Sequence, residues 1–252
     1  MSLLSEAPAG RHFAQFHREP ESLVESVFTF LEAGLRGGSS VLIIAPPEQV
    51  DRLFKRLRDG RFHTKSLSDA GQLARLDSTK ILEQLAANGT PDRAILRAAI
   101  APTLNRLQLH GRGIRVYSEL ANTLWQKGDT DAAICVEEFW NTRAESRPFS
   151  VYCGFTMDTQ SEQSYAGPVE ELGRTHGEIL GTPEDEEFGV ALDRASKEIF
   201  GISLTQMAGV SRQVGAHRFP IGQRAMLWVT RNLPMSSGQL TERARRYFRG
   251  QA

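Results

Sequence analysis

Apolar residues along this chain follow two rhythms. Short apolar runs fall at 12–16, 41–45, 73–76, 113–117 and 149–155, and each predicts a β-strand. The run Val41-Leu-Ile-Ile-Ala45 is unbroken and largely β-branched, as in a strand covered on both faces of a parallel sheet. Between the runs, apolar positions recur every three or four residues. Leu23, Val27, Phe30, Leu31 and Leu35 predict a helix over 21–35, stopped at Gly37-Gly38. Pro46-Pro47 opens a helix with the stripe Val50, Leu53, Phe54 and Leu57. Further helices are predicted over 79–87, 92–109 with a kink at Pro102, 118–126, and 130–144, the last burying Ala133, Val136 and Trp140. Strands alternating with helices imply right-handed βαβ units, hence an α/β fold with a parallel sheet flanked by helices and five strands within 11–156.

After Asp158 the rhythm changes. Residues 159–165 read as a polar loop and 169–180 as a short helix. The acidic run Glu184-Asp-Glu-Glu187 reads as a linker or a helix start. From Phe188 onward the pattern is helical, over 188–200, 203–214, 220–232 and 237–249, so 188–252 is predicted to be an all-helical C-terminal module.

Composition narrows the class. With 40% hydrophobic and 24% charged residues, the chain is of ordinary globular type. Cys135 and Cys153 form no CxxC pair, the apolar stretch 41–47 is too short to span a bilayer, and 1–11 lacks the pattern of a signal peptide. A cytoplasmic protein without membrane association is the expectation. The formal net charge is zero, but it is unevenly placed. Residues 211–252 hold eight arginines, no lysine and one acid, a net of +7, which leaves −7 on the first 210 residues. Arginine's planar fork suits phosphates and carboxylates. Arg212, Arg218, Arg224, Arg243, Arg245, Arg246 and Arg249 are the candidate partner- or nucleic-acid-binding residues. Three readings stay open: DNA binding, docking onto the acidic part of the chain or an acidic partner protein, and an ordinary basic helical face. Segments 195–203 and 208–213 each echo the glycine-containing turn of a helix-turn-helix.

The chemistry that is missing is informative. The first strand-to-helix turn, His17-Arg-Glu-Pro-Glu-Ser22, has no glycine and no Lys-Ser/Thr pair, and its carboxylates would repel phosphates. Nucleotide hydrolysis is not expected. The six histidines show no metal-ligand spacing, no Gly-x-Ser-x-Gly elbow occurs, and Cys153 reads as an inert core thiol. What remains is a polar and aromatic set near strand ends: His12, Gln15 and Phe16, then Glu119, Trp125, Glu137, Glu138, Trp140 and Asn141. Such a set suits a largely apolar pocket with a few orienting contacts, and equally suits core anchors beside solvated acids.

Seven segments in order resemble one family. They are His12-Phe-Ala-Gln-Phe16, the stretch 30–46, Ala74-Arg-Leu-Asp77 with Ile81-Leu82, Asn88-Gly-Thr-Pro-Asp92, Tyr117-Ser-Glu-Leu120 with Leu124-Trp125 and Gly128, Val136-Glu-Glu-Phe-Trp-Asn141, and Phe149-Ser-Val-Tyr-Cys-Gly-Phe155. Together they resemble the MEDS domain, the methanogen/methylotroph sensory domain of the dichloromethane-dehalogenase repressor and other bacterial signalling proteins. The resemblance covers about 10–180, and Gly173 stands where the family's closing segment has cysteine. It implies a RecA/KaiC-like core without a working Walker A loop. It also implies a non-enzymatic sensor of a small organic molecule, such as a hydrocarbon derivative, needing no cofactor. The implied ligand-binding residues are His12, Gln15, Phe16, Glu119, Trp125, Glu138, Trp140, Asn141 and Cys153. The expected partners are the small organic ligand and, through the basic tail, a downstream signalling protein or DNA as in a ligand-responsive transcriptional regulator. The reading leaves room for a homodimer.

Overall fold

A computed structural model describes residues 3–86, 92–109, 113–146, 149–204, 206–207 and 218–250, without side chains for 143–146. Strands β1 (His12–His17), β2 (Ser40–Ala45), β3 (Leu73–Asp77), β4 (Ile114–Ser118), β5 (Phe149–Thr156) and β6 (Glu178–Leu180) form a sheet in the order β3-β2-β4-β5-β1-β6. The pairs β2–β3, β2–β4 and β4–β5 are parallel, with Val41 opposite Leu73 and Arg115, and Ser118 opposite Cys153. The first five strands fall where the apolar runs predicted them. Two compact units make up the chain: Met1–Ala14 with Glu19–Thr156, and Gln15–Arg18 with Met157–Ala252.

In the first unit, helices cover both faces of the sheet, as parallel strands require. One face carries α2 (Pro20–Arg36) and α3 (Pro47–Asp59), which pack on each other; α6 (Arg93–Gln108) and α8 (Thr130–Ser146) cover the other. A short helix α1 (Leu3–Glu6) leads in, α4 (Thr64–Asp69) and α5 (Ser78–Ala86) flank β3, and α7 (Leu120–Gln126) follows β4. The inward stripe of α2 is the predicted one, and Leu23, Val27, Phe30 and Leu31 are all buried. Phe13, Phe30, Tyr117 and Tyr152 form a ring cluster on that side, with centroids 5.5–5.8 Å apart. Helix α6 runs through Pro102. Its N-cap Asp92 accepts a bond from the Ala94 amide at 2.7 Å; residues 88–91 of the predicted turn lie outside the described residues.

The second unit contains a 3₁₀ turn (Glu162–Tyr165), α9 (Val169–Thr175), β6, α10 (Pro183–Phe200), α11 (Ile221–Asn232) and α12 (Pro234–Phe248). The helix expected over 169–180 is corrected here: α9 ends at Thr175, His176 is already extended, and Glu178–Leu180 is a strand. Gly177 interrupts a stretch too short to continue as helix, and Ile179 is buried by the strand. The acidic run 184–187 is a helix start. Thr182 caps α10, its hydroxyl accepting from the Asp185 amide at 3.2 Å while Asp185 accepts from the Thr182 amide at 2.8 Å. Helix α10 packs on α11 and α12. At the first of these crossings Gly189 and Gly222 let the backbones meet: a Cβ on Gly222 would lie 2.7 Å from the Asp185 carbonyl oxygen. Of the helix expected over 203–214, residues 205 and 208–214 lie outside the described residues, as do the second turn echo 208–213 and Arg212.

Candidate functional site

The chain leaves β2 toward the edge strand β3 but leaves β4 in the opposite direction, toward β5. Because β2 and β4 are neighbours, their carboxyl ends form a topological switch point, the usual ligand crevice of open α/β sheets. Helix α3 after β2 and helix α7 with α8 after β4 belong to opposite faces. Glu119 sits at that point. Its amide donates to the Ile44 carbonyl at 2.8 Å, and its carboxyl group is buried. The Tyr117 hydroxyl donates to Glu119 Oε1, and Gln49, buried in the first turn of α3, bonds to both Tyr117 and Glu119. Burial pushes the Glu119 carboxyl up from its usual range to about 7, against the lowering pull of the Tyr117 and Gln49 hydrogen bonds. Burial first, then the Glu119 charge, raises the Tyr117 hydroxyl well above its usual value.

Behind β4 and β5 lies a second polar group. Glu137 is fully buried on α8, and its Oε2 stands 2.9 Å from His12 Nε2 on β1. The Cys153 thiol on β5 donates to the same oxygen at 3.2 Å and lies 3.4 Å from His12 Nε2. Burial, followed by the Glu137 charge, pushes the Cys153 thiol up. One turn along α8, the Trp140 indole donates to Ser118 Oγ at 3.3 Å, and its ring packs edge-on against Phe139 and Phe149.

The predicted residues therefore separate. His12 at the start of β1, Cys153 within β5 and Trp140 on α8 lie in the first unit with Glu119, which follows β4 at the switch point. Trp125 is half-buried with its ring edge-on to Phe155 at 6.4 Å, and Asn141 is half-buried on α8. Glu138 points away: it is exposed and pairs with Arg93. Gln15 and Phe16 fall in the second unit, where Gln15 donates to the Gly181 carbonyl at 2.9 Å and the Phe16 ring stacks on Phe219 at 6.1 Å. That Phe219 ring fills the space beside Gly173, where an added Cβ would come within 2.2 Å of it.

The sequence pattern does not single out Gln49 or Tyr117, and of the two glutamates it names, Glu137 is the buried one while Glu138, which the resemblance implies, is exposed. The stripe Ala133, Val136 and Trp140 carried the signal, since Glu137 lies within it and Glu138 beside it. For Gln49 the only signal was a polar residue in the first helical turn after a fully buried strand.

Five of the tail arginines are engaged within their own unit. Arg231 pairs with Glu170 at 3.1 Å, Arg243 with Glu198 at 3.2 Å, Arg245 with Asp158 at 3.6 Å and Arg246 with Glu242 at 3.4 Å. Arg218 donates to the backbone carbonyls of Gly173, Arg174 and His176. Arg224 is half-buried and Arg249 exposed.

Strand order and a buried acid at the switch point place the chain among the open-sheet α/β proteins. Within that class, residues 11–176 match the family model of MEDS, the methanogen/methylotroph, DcmR sensory domain, and the chain belongs to this sensory-domain family. No curated protein matches the sequence at a significant level. Among the described residues, no helix is long and apolar enough to cross a membrane.

Proposed function

We propose that this chain is a non-enzymatic sensor that binds a small, largely apolar organic molecule at the β2–β4 switch point and relays its state through the C-terminal helices to a signalling partner. Membership of a sensory-domain family over 11–176 is the observation that carries the reading. The buried Glu119–Tyr117–Gln49 group supports its placement, since apolar surroundings with a few fixed polar groups are what orient a small ligand. The Glu119 carboxyl is buried enough to accept a proton near neutrality, so it suits a ligand hydroxyl or carbonyl better than a cation. The turn from β1 into α2 supports the absence of nucleotide chemistry: only Arg18 and Glu19 separate His17 from Pro20, which opens the helix without an N–H to offer a phosphate. In this reading the core is RecA/KaiC-like in descent and has no phosphate loop. Relay requires that the ligand favour one of two tail arrangements, because a ligand with equal affinity for both shifts nothing.

A thermal-shift screen of small organic molecules tests the reading. A ligand of the native state raises the melting temperature in proportion to its occupancy. Stabilisation that is lost in Glu119→Gln supports the proposed position, and equal stabilisation of parent and variant places the ligand elsewhere.

A further inference from the structure

We propose that His12, Glu137 and Cys153 supply at least three ligands of a binding site for a divalent transition-metal ion of the zinc type. The three donors come from three elements, β1, α8 and β5, all in the first unit, and converge on one point. His12 Nε2, Glu137 Oε2 and Cys153 Sγ form a triangle with edges of 2.9, 3.2 and 3.4 Å. In a tetrahedral zinc site with bond lengths of about 2.0–2.3 Å, neighbouring donors stand roughly 3.3–3.6 Å apart. The donors are thus within about half an ångström of that spacing, and an ion could be accepted with small side-chain movements.

The donor set also selects the class of ion. One nitrogen, one sulfur and one oxygen suit borderline-soft metals and not magnesium or calcium, which take oxygen. Charge balance favours a divalent ion. With an ion bound, the Glu137 carboxylate and the Cys153 thiolate would bring two negative charges into a site where the three residues are 0%, 1% and 3% exposed, and His12 would bind through its neutral ring. Cys153 would bind as thiolate, its proton leaving to solvent. The inference is independent of the organic ligand proposed above.

Metal analysis of the full chain tests it, after chelator treatment, reloading with zinc chloride and gel filtration. One retained equivalent of zinc is expected. Cobalt(II) should give a sulfur-to-cobalt charge-transfer band in the near ultraviolet. That band should vanish in Cys153→Ser and persist in Cys135→Ser. Outer partners of a metal ligand alone are worth about 10–100-fold in affinity, so losing the Cys153 ligand should weaken zinc binding by at least about tenfold. Glu137→Gln, nearly identical in shape, serves as a second variant should Cys153→Ser fold poorly, and it should weaken zinc binding likewise. A parent protein that retains no zinc overturns the proposal. So does a cobalt–sulfur band that survives in Cys153→Ser or is lost in Cys135→Ser.

Discussion

Glu119 shows what burial does to a single side chain. Its folded-state pKa is raised to about 7 from the ordinary 4.5. Between those values the folded state holds a proton that the unfolded state has released. Its contribution is therefore intact below about pH 4.5 and is lost as the pH climbs through 7. The loss between pH 5 and 8 comes to roughly 2–3 kcal/mol. Buried His17 acts in the opposite sense: its pKa is lowered by burial from 6.5 to about 4, so its neutral form favours folding above 6.5 and that favour is lost as the pH falls toward 4. The two slopes oppose each other over much of the same range, so the parent alone would mask both. Urea denaturation of parent and Glu119→Gln at pH 5 and pH 8 separates them. The difference in stability between the two proteins should move by that amount in favour of the variant at pH 8; a constant difference would mean that Glu119 is ionised in the folded state.

The two neighbouring glutamates on α8 make a second residue-scale contrast. Exposed ion pairs such as Glu138–Arg93 contribute about 0–1 kcal/mol, so Glu138→Ala should hardly change the denaturation midpoint. Trp140, fully buried among Phe139 and Phe149, should cost about 3–5 kcal/mol when cut to alanine. Similar losses for the two variants would contradict the placement of α8.

At the scale of elements, the strands and long helices were legible because each has one strong cause. Val41–Ala45 can only be a doubly covered strand, and the α2 stripe repeats too regularly to be anything else. What sequence missed had weak or non-local causes. Strand β6 is three residues long and offers one buried apolar side chain. For the acidic run 184–187 sequence left a linker and a helix start open, and the reciprocal cap between Thr182 and Asp185 decides for the helix. The site was legible in part. Residue types at strand ends pointed to His12 and Glu119, and only the family resemblance added Cys153, which reads from its own position as an inert core thiol; the choice between Glu137 and Glu138 turned on one position of helical phase, about 100° of rotation. Gln49 was recruited by strand order, which no local pattern encodes. Helix crossing is likewise non-local: Gly222 is needed because α10 and α11 meet there. Gly222→Ala should destabilise the second unit by about 1–3 kcal/mol in thermal denaturation, since the new methyl group meets backbone and not a flexible side chain. A neutral effect would mean that the two helices can separate at no cost.

For the whole molecule, zero net charge conceals a +7 tail on a −7 remainder. Much of the tail's charge is already matched, with Arg231, Arg243, Arg245 and Arg246 paired to acids and Arg218 spent on carbonyl groups. The basic tail therefore reads first as an internal electrostatic fastening within its unit and as a partner surface only through the arginines that remain. Eight arginines free to meet DNA would give a steep salt dependence, with a slope of about −0.9 for each phosphate contacted. An electrophoretic shift titrated with salt should instead show, at most, weak binding with a shallow slope. A slope near that of eight contacts would revive the transcriptional-regulator reading.

A small organic ligand held beside Glu119 is the core of the proposed function. The most direct measurement is calorimetric titration of the strongest stabiliser from the thermal screen into the parent and into Glu119→Gln. One site per chain is expected in the parent and at least about tenfold weaker binding in the variant, equivalent to roughly 1.4 kcal/mol. Equal affinity in the two proteins, or no saturable binding of any small organic molecule to a folded parent, would contradict it.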